Sequence, residues 1–152
     1  MSAAVEWCVN RADETEITRH LGNCDGDFVP PLSDRVRIGE YAQKIAAHAE
    51  RFEAWSDGEL VGLVAAYCND REKGIVFVTS VSVQHEWQGK GLASHLMERC
   101  VRHAKTSGFR RVELEVDGTN TAAITLYLKQ GFRISKVTDG ATIMFLDIGK
   151  DS

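Results

Sequence analysis

The chain has 152 residues, 43% hydrophobic and 26% charged, the size and mixture of one compact domain that can bury a core without disulfide or metal staples. Eighteen Lys and Arg against 22 Asp and Glu leave a formal charge of −4, which argues against a general nucleic-acid binder, since that needs a basic face to displace counterions. Two prolines and 13 glycines exclude a collagenous or proline-rich chain.

Val5 to Asn10 reads as a short strand, and Ala12 to Leu21 as a helix stopped at Gly22. Residues 23–31 read as loop, because their acids and prolines break either period. Ser33 or Asp34 is the expected cap of a second helix, whose apolar positions Ile38, Tyr41, Ile45, Ala49 and Phe52 step by three and four. The period then switches. Phe52 to Trp55, the Asp57-Gly58 turn and Leu60 to Cys68 read as a hairpin, since Asp-Gly supplies the positive φ angles of a tight turn. Residues 69–74 form a polar connection to a strand at Ile75 to Val83, rich in β-branched residues. Gly91 to Ser107 carries a helical stripe at Leu92, Leu96, Met97, Cys100, Val101 and Ala104, closed by Gly108. Arg111 to Val116 alternates as a strand, and Thr121 to Lys129 is a short helix ending before Gly131. Two last strands, Phe132 to Val137 and Ala141 to Ile148, flank a second Asp-Gly turn at Asp139-Gly140. The order implies a single α/β domain over residues 1–152, a sheet with helices packed on it.

The N-terminal residues lack the basic and apolar regions of a secretory signal, and no apolar run approaches the ~18 residues of a spanning helix. Cys8, Cys24, Cys68 and Cys100 have neither the density of a disulfide scaffold nor a Cys-x-x-Cys spacing. Reduced cysteines in a cytoplasmic protein, with no membrane or nucleic-acid partner, are the expectation. Cys100 and His103 would share a helix face, but no second ligand pair accompanies them, so no metal is expected.

The segment from Val81 to Ser94 carries the most information. A strand ends, a loop with Gly89 and Gly91 follows, and a helix begins. Glycines let a backbone approach a ligand, and a helix start offers unpartnered N–H groups and partial positive charge, which suits a phosphate. Lys90 adds charge nearby; the plainer reading is that the glycines only shape a connection. The P-loop pattern fails, because position 84 is Gln and position 91 is Gly. The dinucleotide pattern meets Ser at 94, and five residues separate Val83 from Gly89 where it expects a tight turn, although Glu113 supplies a distant acid.

A third pattern fits. Gln88-Gly89-Lys90-Gly91-Leu92-Ala93 resembles the Arg/Gln-x-x-Gly-x-Gly/Ala signature of the GCN5-related N-acetyltransferase (GNAT) superfamily. The family's Val-x-Val strand precedes it as Val81-Ser82-Val83. Its next signature follows as Leu114-Glu115-Val116, Asn120, Ala123, Leu126-Tyr127 and Gly131-Phe132. The resemblance covers residues 60 to 132 and reaches the flanks by element order. It implies a central mixed, mostly antiparallel sheet of six to seven strands flanked by four helices, acetyl-coenzyme A as cosubstrate, and no metal. It also implies that Gln88, Gly89, Lys90, Gly91, Ala93 and Ser94 hold the pyrophosphate, that Val81 and Val83 offer main-chain groups to the pantetheine, and that Asn120 contacts the coenzyme.

Amide formation from a thioester requires an amine without its extra proton, a polarised carbonyl and a protonated leaving thiol. Glu115, projecting opposite Val112, Leu114 and Val116, matches the glutamate some family members use as a base; other members take it from the preceding strand or use ordered water. In the resemblance, Tyr127 is the general acid facing the sulfur, since a phenol can hand a proton to a departing thiolate. The plainer readings are a solvated glutamate and a core tyrosine.

The acceptor is less legible. The loop around Phe28 and Arg35, together with Tyr41 and Asn69, supplies possible wall residues. A small amine such as an amino sugar or amino acid is the first reading. A protein N-terminus is the second, because the Leu-Glu-Val to Tyr arrangement resembles the ribosomal-protein alanine acetyltransferases. A non-catalytic acyl-coenzyme-A sensor is the third. By analogy the last two strands could pair with a second copy in a homodimer.

Overall fold

The computed structural model describes residues 4–149. It runs β1 (Glu6–Val9), α1 (Glu14–Cys24), α2 (Ile38–His48), β2 (Ala49–Ser56), β3 (Glu59–Asp70), β4 (Ile75–Val83), α3 (Leu92–Thr106), β5 (Arg111–Asp117), α4 (Thr121–Lys129), β6 (Arg133–Thr138) and β7 (Ala141–Asp147), with short 3-10 turns at Asp25–Asp27, Leu32–Asp34 and His85–Trp87. One seven-stranded sheet has the order β1-β2-β3-β4-β5-β7-β6. Every neighbouring pair is antiparallel except β4 and β5.

Alternation along the strands divides the apolar residues between two cores. Leu63 and Ala65 of β3 pack with Ile17, Leu21, Ala42 and Ile45 of α1 and α2. Val64 and Ala66 pack with Leu96, Met97 and Cys100 of α3 and Tyr127 of α4. With helices on both sides, Leu60 to Ala66 are all buried, so the strand reads as a continuous apolar run. Gly62 sits where α3 crosses: a Cβ there would lie 3.2 Å from Leu96 Cδ1 and 3.4 Å from Ala54 Cβ.

Helix α1 begins with a reciprocal cap, Asp13 Oδ1 accepting from Glu16 N at 2.8 Å and Glu16 Oε1 from Asp13 N at 3.0 Å. It runs past Gly22, the expected stop, because Cys24 continues the buried stripe of Ile17, His20 and Leu21. The second helix is shorter than its apolar period suggests. It starts at Ile38, without a side-chain cap, and ends at His48. Ala49 and Phe52 belong to β2, where all residues but Glu50 are buried; their helical spacing from Ile45 is coincidental. Ser33 caps no helix. Its N–H and hydroxyl both donate to the Asp25 carboxylate at 2.7 Å, clipping the loop between α1 and α2. Asn69 and Asp70, expected in a polar connection, extend β3.

A buried charged pair fastens the start of the chain to β2. The Glu53 side chain is fully buried and accepts from Arg11 N at 3.1 Å, Ala12 N at 3.1 Å and Trp55 Nε1 at 2.9 Å. Arg51 Nε stands 3.5 Å from Glu53, while its terminal nitrogens donate to the carbonyls of Ala12, Ala46 and Ala49. A sheet residue thus satisfies the turns into α1 and out of α2. Replacing Glu53 with Leu leaves the Arg51 charge and three donors unmet, and a loss of about 3–5 kcal/mol is expected in urea unfolding.

His20 of α1 is 1% exposed, and burial lowers its pKa from 6.5 to about 4. The folded state refuses a proton that the unfolded chain accepts. Stability is therefore complete above pH 6.5 and declines as pH falls towards 4, below which this contribution is flat. Urea unfolding over that range is expected to show a shallower slope for His20→Gln than for the wild type.

Candidate active site

The sheet opens in its middle. Strands β4 and β5 pair only from Ile75↔Arg111 to Val78↔Leu114, yet β4 continues to Val83 and β5 to Asp117. A bulge marks the parting. Ala66 pairs with Val78 and Ala65 with Ser80, leaving Thr79 as an extra residue on β4. Such a bulge bends its strand. Tyr41 of α2 braces it, its hydroxyl donating to Thr79 O and meeting Thr79 Oγ1, each at 2.7 Å. Tyr41 is thus committed to the scaffold rather than to a substrate wall.

The opening holds a cleft of about 420 Å³ between the free edge of β4, the start of α3 and the start of α4. Of the nine expected coenzyme residues, Val81, Val83, Gln88, Gly89, Gly91, Ala93, Ser94 and Asn120 line it. Lys90 does not; its side chain is exposed outside the wall. Trp87, Leu126 and Asp27 also line it. Leu126 and Ala123 belong to the signature that follows Leu114-Glu115-Val116, whereas Trp87 and Asp27 sit in short 3-10 turns that carry no period.

Local sequence explains the wall. Gly91 caps α3 with φ 82°, and Gly89 has φ 77°; a side chain strains in this region even though a Cβ at either place would meet open space. Since Gly91 has no side chain to offer, the N–H groups of Leu92, Ala93 and Ser94 begin the helix without a side-chain cap. Their donors and the helix dipole form an anion site at the wall of the cleft. Across it, Asp117 Oδ1 accepts from Thr119 N at 2.8 Å and Thr119 Oγ1 at 2.6 Å, shaping the turn into α4. Those bonds, led by the hydroxyl, hold the Asp117 carboxyl below its usual range. Asn120 Oδ1 caps α4 through Ala123 N at 3.2 Å, leaving its amide hydrogens for the cleft. Gln88 Nε2 donates to Val83 O at 3.1 Å and to Asp27 at 3.3 Å, tying the coenzyme loop to the loop after α1.

The two expected proton carriers lie on opposite sides of the sheet. Glu115 is exposed on the α1–α2 face, one residue beyond Leu114, the last β5 residue paired with β4. Tyr127 follows Leu126 of the cleft wall, but its ring lies in the core, tilted against Phe132 with centroids 5.9 Å apart. It is 7% exposed, and burial alone pushes its pKa up to about 12.

On the α1 side of β4, a recess of about 90 Å³ is lined by Cys24, Asp27, Phe28, Val81, Ser82, Val83 and Gln88, five of which also line the cleft. Phe28 is thus beside the opening. Arg35 is exposed and lines neither the cleft nor the recess, although its charge acts weakly on both Asp117 and Tyr41. Asn69 is not there. It lines a separate depression with His48, Cys68 and His103, at the end of the sheet where β4 and β5 are still paired. The continuation of β3 through Asn69 carries it away. Among the described residues, no group of three or more His, Cys, Asp or Glu could hold a metal ion.

The Acetyltransferase (GNAT) family model matches residues 15–132. A chloroplastic GCN5-related N-acetyltransferase 4 of Arabidopsis thaliana is 34% identical over 117 residues, covering 72% of this chain and 39% of the relative. N-acetyltransferase 8F1 of Rattus norvegicus is 35% identical over 92 residues, 57% of this chain and 41% of the relative. The chain therefore spans about two fifths of the length of these curated relatives. Among solved structures, the ribosomal-protein-S18-alanine N-acetyltransferase of Escherichia coli superposes with a TM-score of 0.77 at 19% identity, covering 97% of both chains. The PaiA N-acetyltransferase of Thermoplasma acidophilum, in complex with coenzyme A, gives 0.74 at 12% identity over 95% of this chain and 99% of that one. At such identities the likeness is one of fold. The family match covers most of the sequence and contains both the parted strands and the glycine loop, and the chain belongs to the GNAT acetyltransferase family.

Proposed function

We propose that this chain transfers an acetyl group from acetyl-coenzyme A to the primary amine of a small molecule, by direct attack with both substrates bound. The observation that carries this reading is the meeting of an uncapped helix start with the unpaired edge of β4 in one cleft of about 420 Å³. Acetyl-coenzyme A supplies an activated thioester. The first-turn N–H groups of α3, with the backbone at Gly89 and Gly91, grip its diphosphate. The edge of β4 at Val81 to Val83 offers main-chain groups to an extended amide chain, much as a neighbouring strand does.

Glu115, beside the parting and open to water, accepts the amine proton through a water molecule. Tyr127 gives a proton to the departing sulfur. A phenol pushed to about 12 holds its proton more tightly than a free one, but burial acts on thiols in the same direction: Cys100 is also pushed up to about 12. A thiolate leaving against the apolar wall at Ala123 and Leu126 is made more basic by the same loss of water, which keeps it a fitting acceptor for the phenol proton. The small recess beside Phe28, next to the loop clipped by Asp25 and Ser33, favours a compact amine over a protein N-terminus.

Calorimetry with acetyl-coenzyme A and a thiol-release screen against amino sugars, amino acids, polyamines and short peptides test the reading directly. No binding at millimolar concentration rejects it; binding without thiol release supports a sensor instead. Tyr127→Phe keeps the ring and removes the proton, and kcat is expected to drop about a hundredfold with coenzyme affinity retained. Gly91→Ala places a side chain at positive φ, and about 1–2 kcal/mol of stability is expected to go in urea unfolding, with weaker coenzyme binding.

A further inference from the structure

The buried imidazole of His20 takes no part in the chemistry above, yet it reaches the opening through one hydroxyl. Its Nδ1 lies 3.1 Å from Leu60 O and its Nε2 2.9 Å from Ser82 Oγ. A carbonyl only accepts, so Nδ1 carries the ring hydrogen and Nε2 is left as an acceptor. Ser82 Oγ must then donate its single hydrogen to His20. Cys24 Sγ, 3.8 Å from the same Nε2, stands as a weaker second donor.

A hydroxyl whose hydrogen is committed can only accept from anything else. Ser82 lines both the coenzyme cleft and the recess beside Phe28 and Cys24, and its side chain turns to the α1 side while Val81 and Val83 pack on the other core. A neutral amine brings N–H hydrogens and one lone pair. Holding an N–H on a fixed acceptor aims the lone pair, which is where much of the gain from orientation lies. We propose that Ser82 is the contact that orients the acceptor nitrogen, and that His20 is the positioning residue that makes the Ser82 hydroxyl an obligate acceptor. The inference rests on the acetyl-transfer reading and deepens it: the acceptor is a compact amine whose nitrogen enters the recess with an N–H turned to Ser82.

The test uses the purified chain, acetyl-coenzyme A and the best amine from the thiol-release screen. Ser82→Ala is expected to lower kcat/KM for the amine about tenfold or more, with coenzyme affinity by calorimetry held near wild type and the melting temperature lowered only by the loss of one buried donor to His20. Ser82→Thr restores the hydroxyl and is expected to recover most of that loss. His20→Gln, which keeps an acceptor, retains more activity than His20→Leu, which has none. Should His20→Leu fail to fold, the Ser82 pair still decides. Wild-type kcat/KM in Ser82→Ala overturns the inference and leaves acetyl transfer standing. A loss that follows coenzyme affinity, or one that Ser82→Thr does not recover, also overturns it. A wild type that binds acetyl-coenzyme A but releases no thiol with any amine overturns both.

Discussion

A sheet that opens between two of its own strands leaves main-chain N–H and C=O groups facing a gap, and each such group left unmet costs about 1–3 kcal/mol. The chain sustains the opening by holding each strand from its far side. Strand β4 stays paired with β3 as far as Gly62↔Val83, and Gln84 prolongs the grip, its N–H on Val61 O at 2.9 Å and its side chain on Leu60 O at 3.1 Å. Strand β5 stays with β7 to Asp117↔Ala141, followed by Gly118 N on Gly140 O at 2.7 Å. The gap persists because both rims are anchored away from it, and its unmet groups are what a second, extended amide chain can satisfy.

Where α3 begins follows from the same frame. Gly62 lets the helix lie against β3, with Leu96 and Leu92 within 3.6 Å of where a Cβ would stand. Its first turn then falls beside the end of β4, and the loop from Gln84 to Gly91 has only to bridge a short distance. Gly89 and Gly91 make the bridge at positive φ and keep side chains out of the way. Position, donors and partial charge thus arise from packing and backbone geometry. Lys90, the one basic charge of this loop besides any on His85, is exposed and does not line the cleft.

This division explains how much could be read from the residues. Local signals were legible: the glycine pair, the Asp-Gly turns and the element order all depend on neighbours in sequence. The parting itself was not legible, because nothing in Ile75 to Val83 says where its partner strand leaves. Errors fell where tertiary partners decide. Ala49 and Phe52 fit a helical period but are claimed by the sheet; Asn69 reads as a turn but continues a strand; Tyr41 resembles a wall residue but braces the bulge at Thr79. Glu53 gave no hint of burial, since its three donors come from residues 11, 12 and 55.

Strand pleat then sets the logic of the proposed chemistry. Successive side chains on β4 face opposite sides, so Val81 and Val83 meet the α3–α4 core while Ser82 meets His20 on α1. One strand can therefore touch two substrates at once, the coenzyme along its free edge and the amine against one face. The same geometry separates the protons. Glu115 stands on the α1–α2 face, open to water that can carry a proton off, whereas Tyr127 is enclosed on the other, where a proton is held until a base forms beside it. In the proposed transfer the proton lost from nitrogen therefore leaves on the open side and the proton gained by sulfur comes from the enclosed side, and exchange with solvent resets Glu115 and Tyr127 before the next turnover.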